Sequence, residues 1–303
     1  MPADSSLRKL LKRALAPFLG EGTYRLIQAA AKAWDIRNGS WSEAELDLVR
    51  CGVRPGESAI DIGANYGLYC YHLSRAVGPS GTVYAFEPVP FTAATCQLIG
   101  KLLRFHRNVT VFPRGCGDRA GRLAFTVPVQ HSGAIAAGQT HAAARNDERP
   151  GKEFHAPHPQ SKEIWCEVVV LDEALADVER LSLVKCDIEG ADLFALRGAQ
   201  RLLAQHHPTV LCEISAWFLE GFGLKPEAFD EFFAGLGYRM YHYDVSDGKG
   251  RLTPTSVAGL GTFATHNYVF IHPDRQDRFA HLLPGSVNNV EDLEGVRAAR
   301  ANG

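Results

Sequence analysis

The stretch Ser58-Ala59-Ile60-Asp61-Ile62-Gly63-Ala64-Asn65-Tyr66-Gly67 decides the fold of this chain. Its first five residues are mostly apolar and β-prone, which predicts a buried strand. The glycines that follow allow a sharp backbone turn and a close approach to a ligand, and a helical pattern starts near Gly67. A strand, a glycine-rich turn and a helix in this order predict the first unit of an α/β domain that binds a ligand at its turn.

Strands and helices alternate along the rest of the core. Together with 58–62, the predicted strands are 82–86, 109–112, 181–186, 209–214, 239–243 and 268–271. The predicted helices cover 67–77, 91–103, 192–203 and 227–236. The last two strands have no clear helix between them, which is typical of an antiparallel edge. The sequence therefore predicts an α/β fold with a mostly parallel seven-stranded sheet, helices on both faces and an antiparallel edge.

Three additions to this core are predicted. An N-terminal helical cap covers residues 1–45, an insertion covers 130–163, and a C-terminal tail follows the core (46–275) at 276–303. The insertion lies between predicted strands at 123–129 and 164–171, and it is either a lid over the substrate or a disordered segment. In the cap, the helical pattern at 7–15 has a basic side that either contacts a membrane surface or faces water on a packed helix.

Composition excludes several classes of protein. The net charge is -2 and 22% of residues are charged, so no basic field predicts a nucleic-acid partner. The seven cysteines are scattered without a Cys-x-x-Cys pair, which predicts free thiols in a reducing compartment and no zinc site. No apolar run reaches membrane-spanning length and no secretory signal is recognisable, so a cytoplasmic location is expected.

Acidic residues stand at the ends of predicted strands. Glu87 follows the second strand, 20 residues after Gly67, where a carboxylate can accept hydrogen bonds from ribose hydroxyls. A dinucleotide-binding turn would need glycines where this chain has Asn65 and Leu68, so the turn does not match an NAD site. Asp187 and Glu213 end the fourth and fifth strands and are expected to face the reaction centre.

Taken together, these motifs resemble the FkbM family of methyltransferases. The matching pieces, between about Asn38 and Ile271, are Asn38-Gly39-Ser40-Trp41-Ser42-Glu43, the turn at 61–67, Ala85-Phe86-Glu87-Pro88, Leu171-Asp172, Lys185-Cys186-Asp187-Ile188-Glu189-Gly190-Ala191-Asp192 and Leu236-Gly237-Tyr238. The resemblance implies a class I, Rossmann-like methyltransferase fold. It also implies O-methylation, dependent on S-adenosylmethionine, of a hydroxyl on a sugar, glycoside or polyketide-type natural product.

The resemblance also assigns site residues by position. Those implied to bind the cofactor are Asp61, Gly63, Asn65, Tyr66 and Gly67 around its methionine end, Glu87 at the ribose, and Asp118 at the adenine. For Asp118 a role in the turn that it occupies is an equal alternative.

A hydroxyl acceptor must lose a proton, and Asp187, followed by Glu213, is the predicted base. His131, His141, His155 and His158 in the insertion are alternatives. Asp187 and Glu213 could instead hold Mg²⁺, but no Asp-Asp or Asp-Asn pair follows the fifth strand, so no required metal is expected.

Two other functions remain open from the sequence: a nucleotide-dependent oxidoreductase or epimerase, and a non-catalytic cofactor-binding protein. The expected partner is a small-molecule or glycan substrate, and the N-terminal helices could also mediate a homodimer.

Overall fold

A computed structural model describes residues 20–129, 140–145, 160–246, 248–261 and 265–284. The predicted helix at 7–15 and most of the insertion therefore lie outside the described residues, as does the chain after 284.

The elements follow one another in the order that the sequence predicts, with a few additions. Up to the middle of the chain they are α1 Glu21–Asn38, α2 Leu46–Gly52, β1 Ser58–Ile62, α3 Leu68–Val77, β2 Thr82–Phe86, α4 Pro90–Leu103, β3 Val109–Phe112, β4 Gly115–Cys116, β5 Gly121–Val129, β6 His141–Ala142 and β7 Gln160–Val169. They continue with α5 Leu171–Ala174, β8 Leu181–Cys186, α6 Asp192–Arg197, α7 Gln200–His206, β9 Thr209–Glu213, α8 Ala216–Gly221, α9 Glu227–Gly235, β10 Arg239–Asp244, β11 Arg251–Pro254 and β12 Asn267–Ile271. Short 3-10 helices are Phe105–Arg107, Val257–Gly259 and Pro273–Leu282.

The main sheet has the strand order β3-β2-β1-β8-β9-β12-β10-β11. The first five strands of this order are parallel, and the last three form an antiparallel edge, as expected. The predicted number of seven strands is wrong, because β11 adds an eighth. Leu252 is the only fully buried side chain of β11, so its sequence carries too weak an alternation to predict a strand.

A second sheet of four strands, in the order β4-β7-β5-β6, stands beside the main one. The long strands β5 and β7 pair antiparallel from Gly121 opposite Val168 to Val129 opposite Gln160. The sequence predicts both strands but not that they pair with each other across the insertion. Within the insertion, His141 and Ala142 form β6 and pair with Thr126 and Phe125 of β5.

Buried apolar side chains cover both faces of the main sheet and form two cores. All six residues of β8 are buried, as expected for a central parallel strand with helices on either side. Each fully buried leucine of such a core contributes about 1.5–3 kcal/mol relative to an exposed one. These cores fix the strand ends, and thereby the positions of the acidic residues that follow them.

The predicted helix at 192–203 is two helices, α6 and α7, separated at Gly198. A Cβ at Gly198 would collide with the backbone oxygen of Gly117, which belongs to the segment joining β4 to β5. The helix is therefore interrupted where the chain beside the second sheet packs directly on its backbone.

Both ends of the described chain pack on the core. In α1, the Tyr24 ring lies 6.0 Å from the Phe91 ring of α4. Near the C-terminus, Phe279 is fully buried and Arg278 forms a 2.6 Å ion pair with Glu57. The 3-10 helix Pro273–Leu282 thus crosses the boundary that the sequence places at residue 275.

All seven cysteines lie in the described ranges and carry free thiols. None of the described helices combines the length and the hydropathy that crossing a membrane requires.

Candidate functional site

A cavity of about 730 Å³ opens at the carboxyl ends of β1, β2 and β8, a volume typical of small-molecule sites. The second sheet and the segments next to its strands form another wall, through residues 114–123, Phe125, 140–142 and Ala144. The polar and charged side chains along the cavity include Glu43, Asn65, Glu87, Arg114, Asp118, Arg122, Lys185, Asp187 and Glu189. Ligands of open α/β sheets bind at this edge, so the cavity is the candidate site.

The turn after β1 is shaped by backbone contacts. Gly63 has φ of 81°, and a Cβ there would collide with the backbone oxygen of Asp187. The backbone N–H groups of Gly63 and Ala64 both donate to the carbonyl of Phe86, at 2.9 and 3.0 Å. Only glycine fits this conformation and this close approach, which explains why the motif carries it here.

The structure separates the predicted cofactor residues of this turn into two groups. Gly63 and Asn65 line the cavity, together with Ala64. Asp61, Tyr66 and Gly67 are not among the lining residues.

Asp61, Tyr66 and Gly67 make contacts inside the protein instead. The Asp61 carboxylate is buried and accepts a hydrogen bond from the Cys70 thiol at 3.1 Å. The Tyr66 hydroxyl accepts one from Gln28 at 2.9 Å. A Cβ at Gly67 would come within 2.9 Å of the Cys96 sulfur.

Glu87 lines the cavity from the end of β2, and its carboxylate is held by the backbone. Its Oε2 accepts the N–H of Asn65 and its Oε1 accepts the N–H of Val89, both at 3.0 Å. Burial raises the pKa of Glu87 to about 7, and these two backbone hydrogen bonds oppose the rise. The carboxylate is thus fixed in place with lone pairs left to accept hydrogen bonds from a ligand.

Two further features suit a polar ligand at this side of the cavity. The Oδ1 atom of Asn65 is buried and has no hydrogen-bond partner among the described residues. Buried polar atoms are rarely left unpaired, so a ligand group that donates a hydrogen bond would remove this cost. Asp118 lines the cavity at an exposed position after β4. Taken together, the residues fit a ligand that carries a ribose and further polar groups.

At the end of β8, Asp187 lines the cavity with its side chain 40% exposed. The ammonium of Lys185 donates to its Oδ2 at 2.8 Å. Burial raises the pKa of Asp187, but the charge and hydrogen bond of Lys185 lower it more, so the net pKa lies below its usual value. Asp187 is therefore ionised at neutral pH.

Glu213 stands behind Asp187 and is not among the lining residues. Burial, followed by the charge of Asp187, raises its pKa well above the usual value. The two carboxyls are hydrogen-bonded, so the neutral acid of Glu213 donates to the carboxylate of Asp187. The pair predicted from the sequence is thus brought together as one ionised and one protonated group.

The loop after Asp187 is held by a residue that the sequence analysis left without a role. The fully buried Asp192 accepts the N–H groups of Ile188 at 3.2 Å and Gly190 at 3.0 Å. A Cβ at Gly190 would come within 2.6 Å of the Cβ of Phe218. Glu189 adopts φ of 59°, a left-handed conformation that is uncommon outside glycine. Such a conformation persists only where its surroundings enforce it.

The conformation of Glu189 is held in large part by Arg145, which belongs to the described part of the insertion. Its side chain is only 1% exposed, and Nη1 donates to the backbone oxygen of Glu189 at 2.9 Å. The same nitrogen lies 3.5 Å from Glu189 Oε2, and the guanidinium lies 4.7 Å from the centre of the Phe218 ring. No sequence motif marks Arg145, because its partners are more than forty residues away.

The sequence analysis also missed an N-terminal contribution to the cavity wall. Trp41 and Glu43 line the cavity beside Tyr69, whose hydroxyl donates to the Glu43 carboxylate. Burial raises the pKa of Glu43, and the charge of Lys185 opposes the rise. The sequence signal for Trp41 and Glu43 is the motif at 38–43, which contributes to the family resemblance and assigns neither residue a role.

Of the histidines proposed as alternative bases, only His141 is described. It is buried in β6 and lines the cavity. His131, His155 and His158 lie outside the described residues. A group of three side chains within metal-binding reach occurs among the described residues at His207, His272 and Asp274, not at Asp187 and Glu213. His207 lies two residues before β9, so this group lies at the amino ends of the strands, away from the cavity at their carboxyl ends.

The chain matches the model of one protein family. The model of the methyltransferase FkbM domain matches residues 61–240, which is more than half of the chain. Methyltransferase 1 of Beauveria bassiana (strain ARSEF 2860) is 29% identical over 150 residues, which cover 46% of this chain and 57% of that protein. The chain therefore spans less than two thirds of the length of this relative.

Solved structures show similar chains at low identity. The crystal structure of methyltransferase FkbM from Methylobacillus flagellatus KT is 17% identical, with a TM-score of 0.42, and the match covers 89% of this chain and 60% of that one. An S-adenosylmethionine-dependent O-methyltransferase from Thermotoga maritima is 13% identical, with a TM-score of 0.40, and the match covers 78% and 68% of the two chains.

Proposed function

Because the chain belongs to the FkbM family of S-adenosylmethionine-dependent methyltransferases, we propose that it methylates a hydroxyl of a sugar, glycoside or polyketide-type natural product. The observation that carries this proposal is Asp187, an ionised carboxylate that lines the cavity on the side opposite Glu87 along the strand ends. A methyl donor and a hydroxyl acceptor need such a division of one cavity into a binding half and a deprotonating half.

The cofactor half consists of Gly63, Ala64, Asn65 and Glu87. The cofactor supplies, when bound, a methyl group on a positively charged sulfur. Glu87 would accept hydrogen bonds from its ribose hydroxyls, and the Oδ1 atom of Asn65 would accept one from a donor group. Gly63 lets the turn pass directly against the backbone of Asp187, because it has no Cβ at that contact.

The acceptor half begins at Asp187, the group we assign as the base. Lys185 keeps it ionised and holds it by a 2.8 Å hydrogen bond, so it is ready to accept a proton from a hydroxyl. Glu213 keeps its own proton and donates to Asp187, which orients the carboxylate without competing for the substrate. Positioning of the hydroxyl against the donor is then the main contribution of the site.

Beyond Lys185, the wall of the cavity is formed by Trp41, Glu43 and Tyr69. The chemistry of these side chains favours a polyhydroxylated molecule as the methyl acceptor. An aromatic ring next to a carboxylate offers an apolar face and a hydrogen-bond acceptor to the same ligand. Since Glu43 and Asp187 are both acidic and Lys185 already pairs with Asp187, a neutral acceptor suits this end better than an anionic one.

Calorimetric titration with S-adenosylhomocysteine tests the cofactor half first. We expect saturable binding by the wild type, loss of binding in Glu87→Ala, and unchanged binding in the presence of Mg²⁺ or a chelator. Absence of binding to a protein that circular dichroism shows to be folded would overturn the proposal.

The acceptor half is tested by Asp187→Asn, which removes the base and leaves the cofactor half intact. We expect it to bind S-adenosylhomocysteine like the wild type but to lower methyl transfer to sugar and polyol acceptors by about 10²–10⁴-fold. If Asp187→Asn transfers the methyl group as fast as the wild type, Asp187 is not the base. The assignment of the cofactor-binding residues would not be affected by that result.

A further inference from the structure

One end of the cavity, the apolar end, lies next to Asp187 and is lined mainly by apolar side chains. Ile188 and Ala191 come from the loop after β8, Phe194 from α6, and Phe222 directly follows α8. The rings of Phe194 and Phe222 are in edge-to-face contact, with their centres 5.9 Å apart. All four side chains are only partly buried, so they keep apolar surface that can contact a ligand.

The apolar end lies on the side of Asp187 that faces away from the cofactor half. In the main sheet, β8 stands between β1 and β9. The cofactor half is formed at the ends of β1 and β2, whereas Phe222 follows the helix after β9. Gly190 allows that helix to pack closely on the loop after β8, because a Cβ there would come within 2.6 Å of the Cβ of Phe218. The apolar end therefore belongs to the acceptor half.

The apolar end and the wall that contains Trp41 lie over opposite faces of the main sheet. Trp41 packs on one of the two cores, and Ile188 packs on the other. Leu183 and Val184, which are successive residues of β8, point into these different cores. Asp187 follows the same strand and so lies between the two ends. A molecule whose hydroxyl reaches Asp187 can thus extend toward both of them.

The charge at the apolar end is already balanced within the protein. The carboxylate of Glu189 lines the cavity there, and the buried guanidinium of Arg145 lies 3.5 Å from it. The described part of the insertion closes this end with two polar and two small apolar side chains, Thr140, His141, Ala142 and Ala144. A ligand group at this end therefore meets mainly apolar and aromatic surface, which a charged group would enter only at a cost.

We propose that the apolar end binds an alkyl or aryl group of the methyl acceptor, so that the acceptor is an amphiphilic glycoside. This inference rests on the proposed function and narrows its substrate class. The sugar ring presents its hydroxyl to Asp187 and lies toward Trp41, and the apolar aglycone lies against Phe194 and Phe222. Each methylene group that is buried there increases the affinity about fourfold.

Calorimetric titration of the full chain saturated with S-adenosylhomocysteine tests this inference with neutral probes. The probes are methyl β-glucoside, octyl β-glucoside below its micelle concentration, and methyl β-maltoside. We expect octyl β-glucoside to bind about 50-fold more tightly than methyl β-glucoside, which corresponds to burial of about three methylene groups. Methyl β-maltoside is extended by a second sugar instead of an alkyl chain, and it should gain less than about threefold.

Substitutions of the two phenylalanines locate the bound alkyl chain. Phe222→Ala and Phe194→Ala should each reduce the affinity ratio of the octyl and methyl glucosides at least about fivefold, because each removes part of the apolar surface. Trp165→Ala is the matched control. Its indole is 60% exposed and lies outside the cavity lining, so this variant should keep the wild-type ratio.

Several results would overturn the inference. The wild type could bind the two glucosides equally, or both phenylalanine variants could keep the wild-type ratio, which would place the alkyl chain elsewhere. A gain for methyl β-maltoside as large as that for octyl β-glucoside would assign the aromatic pair to a second sugar.

Titrations without S-adenosylhomocysteine separate two further outcomes. If octyl β-glucoside gains affinity only when S-adenosylhomocysteine is absent, the apolar end belongs to the cofactor and the inference fails while the proposed function stands. If the folded wild type does not bind S-adenosylhomocysteine at all, the proposed function fails, and the inference fails with it.

Discussion

The two halves of the cavity are built by different means. On the cofactor side, the turn after β1 is defined by the conformation of Gly63 and by backbone hydrogen bonds to Phe86. On the acceptor side, the loop after β8 is defined by buried polar and charged side chains: Asp192 accepts hydrogen bonds from the loop's backbone N–H groups, and Arg145 binds Glu189. One half is fixed by steric limits of the backbone, the other by hydrogen bonds and an ion pair of buried side chains.

This difference has consequences for sensitivity. Steric limits do not depend on pH, so the cofactor turn is sensitive to a change of shape at its contact with Asp187 rather than to a change of charge. A buried ionic group is costly as soon as its partner is removed, so the acceptor loop depends on residues far away in the sequence. Glu87 is the exception on the cofactor side, because its raised pKa brings a titratable group into a wall otherwise made of backbone.

The largest effect is expected where the two halves touch. Gly63→Ala adds a Cβ against the backbone oxygen of Asp187 and forces a side chain into a left-handed conformation. Strain and overpacking together should lower the free energy of unfolding by about 5 kcal/mol. Denaturant unfolding measures this. Gly235→Ala, where nothing lies within 4 Å of the new Cβ, is the control, and equal losses in both variants would contradict the steric account.

A smaller but still large effect should follow from removing the distant support of the acceptor loop. Arg145→Met leaves Glu189 buried without its cation and should cost about 3 kcal/mol in the free energy of unfolding. Hydrogen exchange at Ile188 and Gly190 should become faster. Arg114→Met breaks an exposed pair with Glu167 at the same cavity and should cost less than about 1 kcal/mol. Similar costs for the two arginines would mean that the loop does not depend on the buried pair.

A pH-dependent effect is expected on the cofactor side. The pKa of Glu87 is about 7 in the folded protein, above its ordinary value, so the folded state holds a proton that the unfolded state releases. The stability from this group is therefore complete below about pH 4 and is lost as the pH rises through 7, by about 3 kcal/mol. Glu87→Gln should make the free energy of unfolding less dependent on pH between 5 and 8. The exposed Glu167→Gln is the control, and an unchanged slope in Glu87→Gln would show that Glu87 does not titrate in this range.

The smallest effect is expected for Glu213→Gln. The amide has nearly the shape of the neutral acid and can still donate to Asp187, so the free energy of unfolding at pH 7 should change by less than about 1 kcal/mol. Because the pKa of Glu213 is raised, wild-type stability falls as the pH increases through it, and the variant should gain on the wild type at alkaline pH. A large loss at pH 7 would mean that Glu213 is ionised in the folded protein.

The difference between the two halves of the cavity also explains which parts of the site the sequence can predict. The strand ends, the turn at 61–67 and the positions of Glu87 and Asp187 could be predicted, because each depends on a local pattern of apolar residues, glycine and acid. Arg145 could not be predicted, because its role arises only when β6 pairs with β5 and brings residue 145 beside Glu189.

Dependence on distant contacts also explains the errors in the predicted fold. Gly198 looked like an ordinary position within a helix, and only the approach of Gly117 shows why the helix divides there. Strand β11 has one fully buried side chain and takes its place through pairing with β10 rather than through its own pattern. Contacts between distant segments, and not local preference, decide each of these positions.

The strand order of the antiparallel edge has a consequence for synthesis on the ribosome. Among the strands of the described residues, β12 is the last to be translated, yet it lies between β9 and β10 and attaches β10 and β11 to the rest of the sheet. Until Ile271 has left the ribosomal tunnel, the hairpin of β10 and β11 has no partner strand on its inner side. The edges of β9 and β10 must therefore stay unpaired in the nascent chain until β12 inserts between them. This part of the sheet is completed by that single insertion rather than by adding one strand after another at its edge.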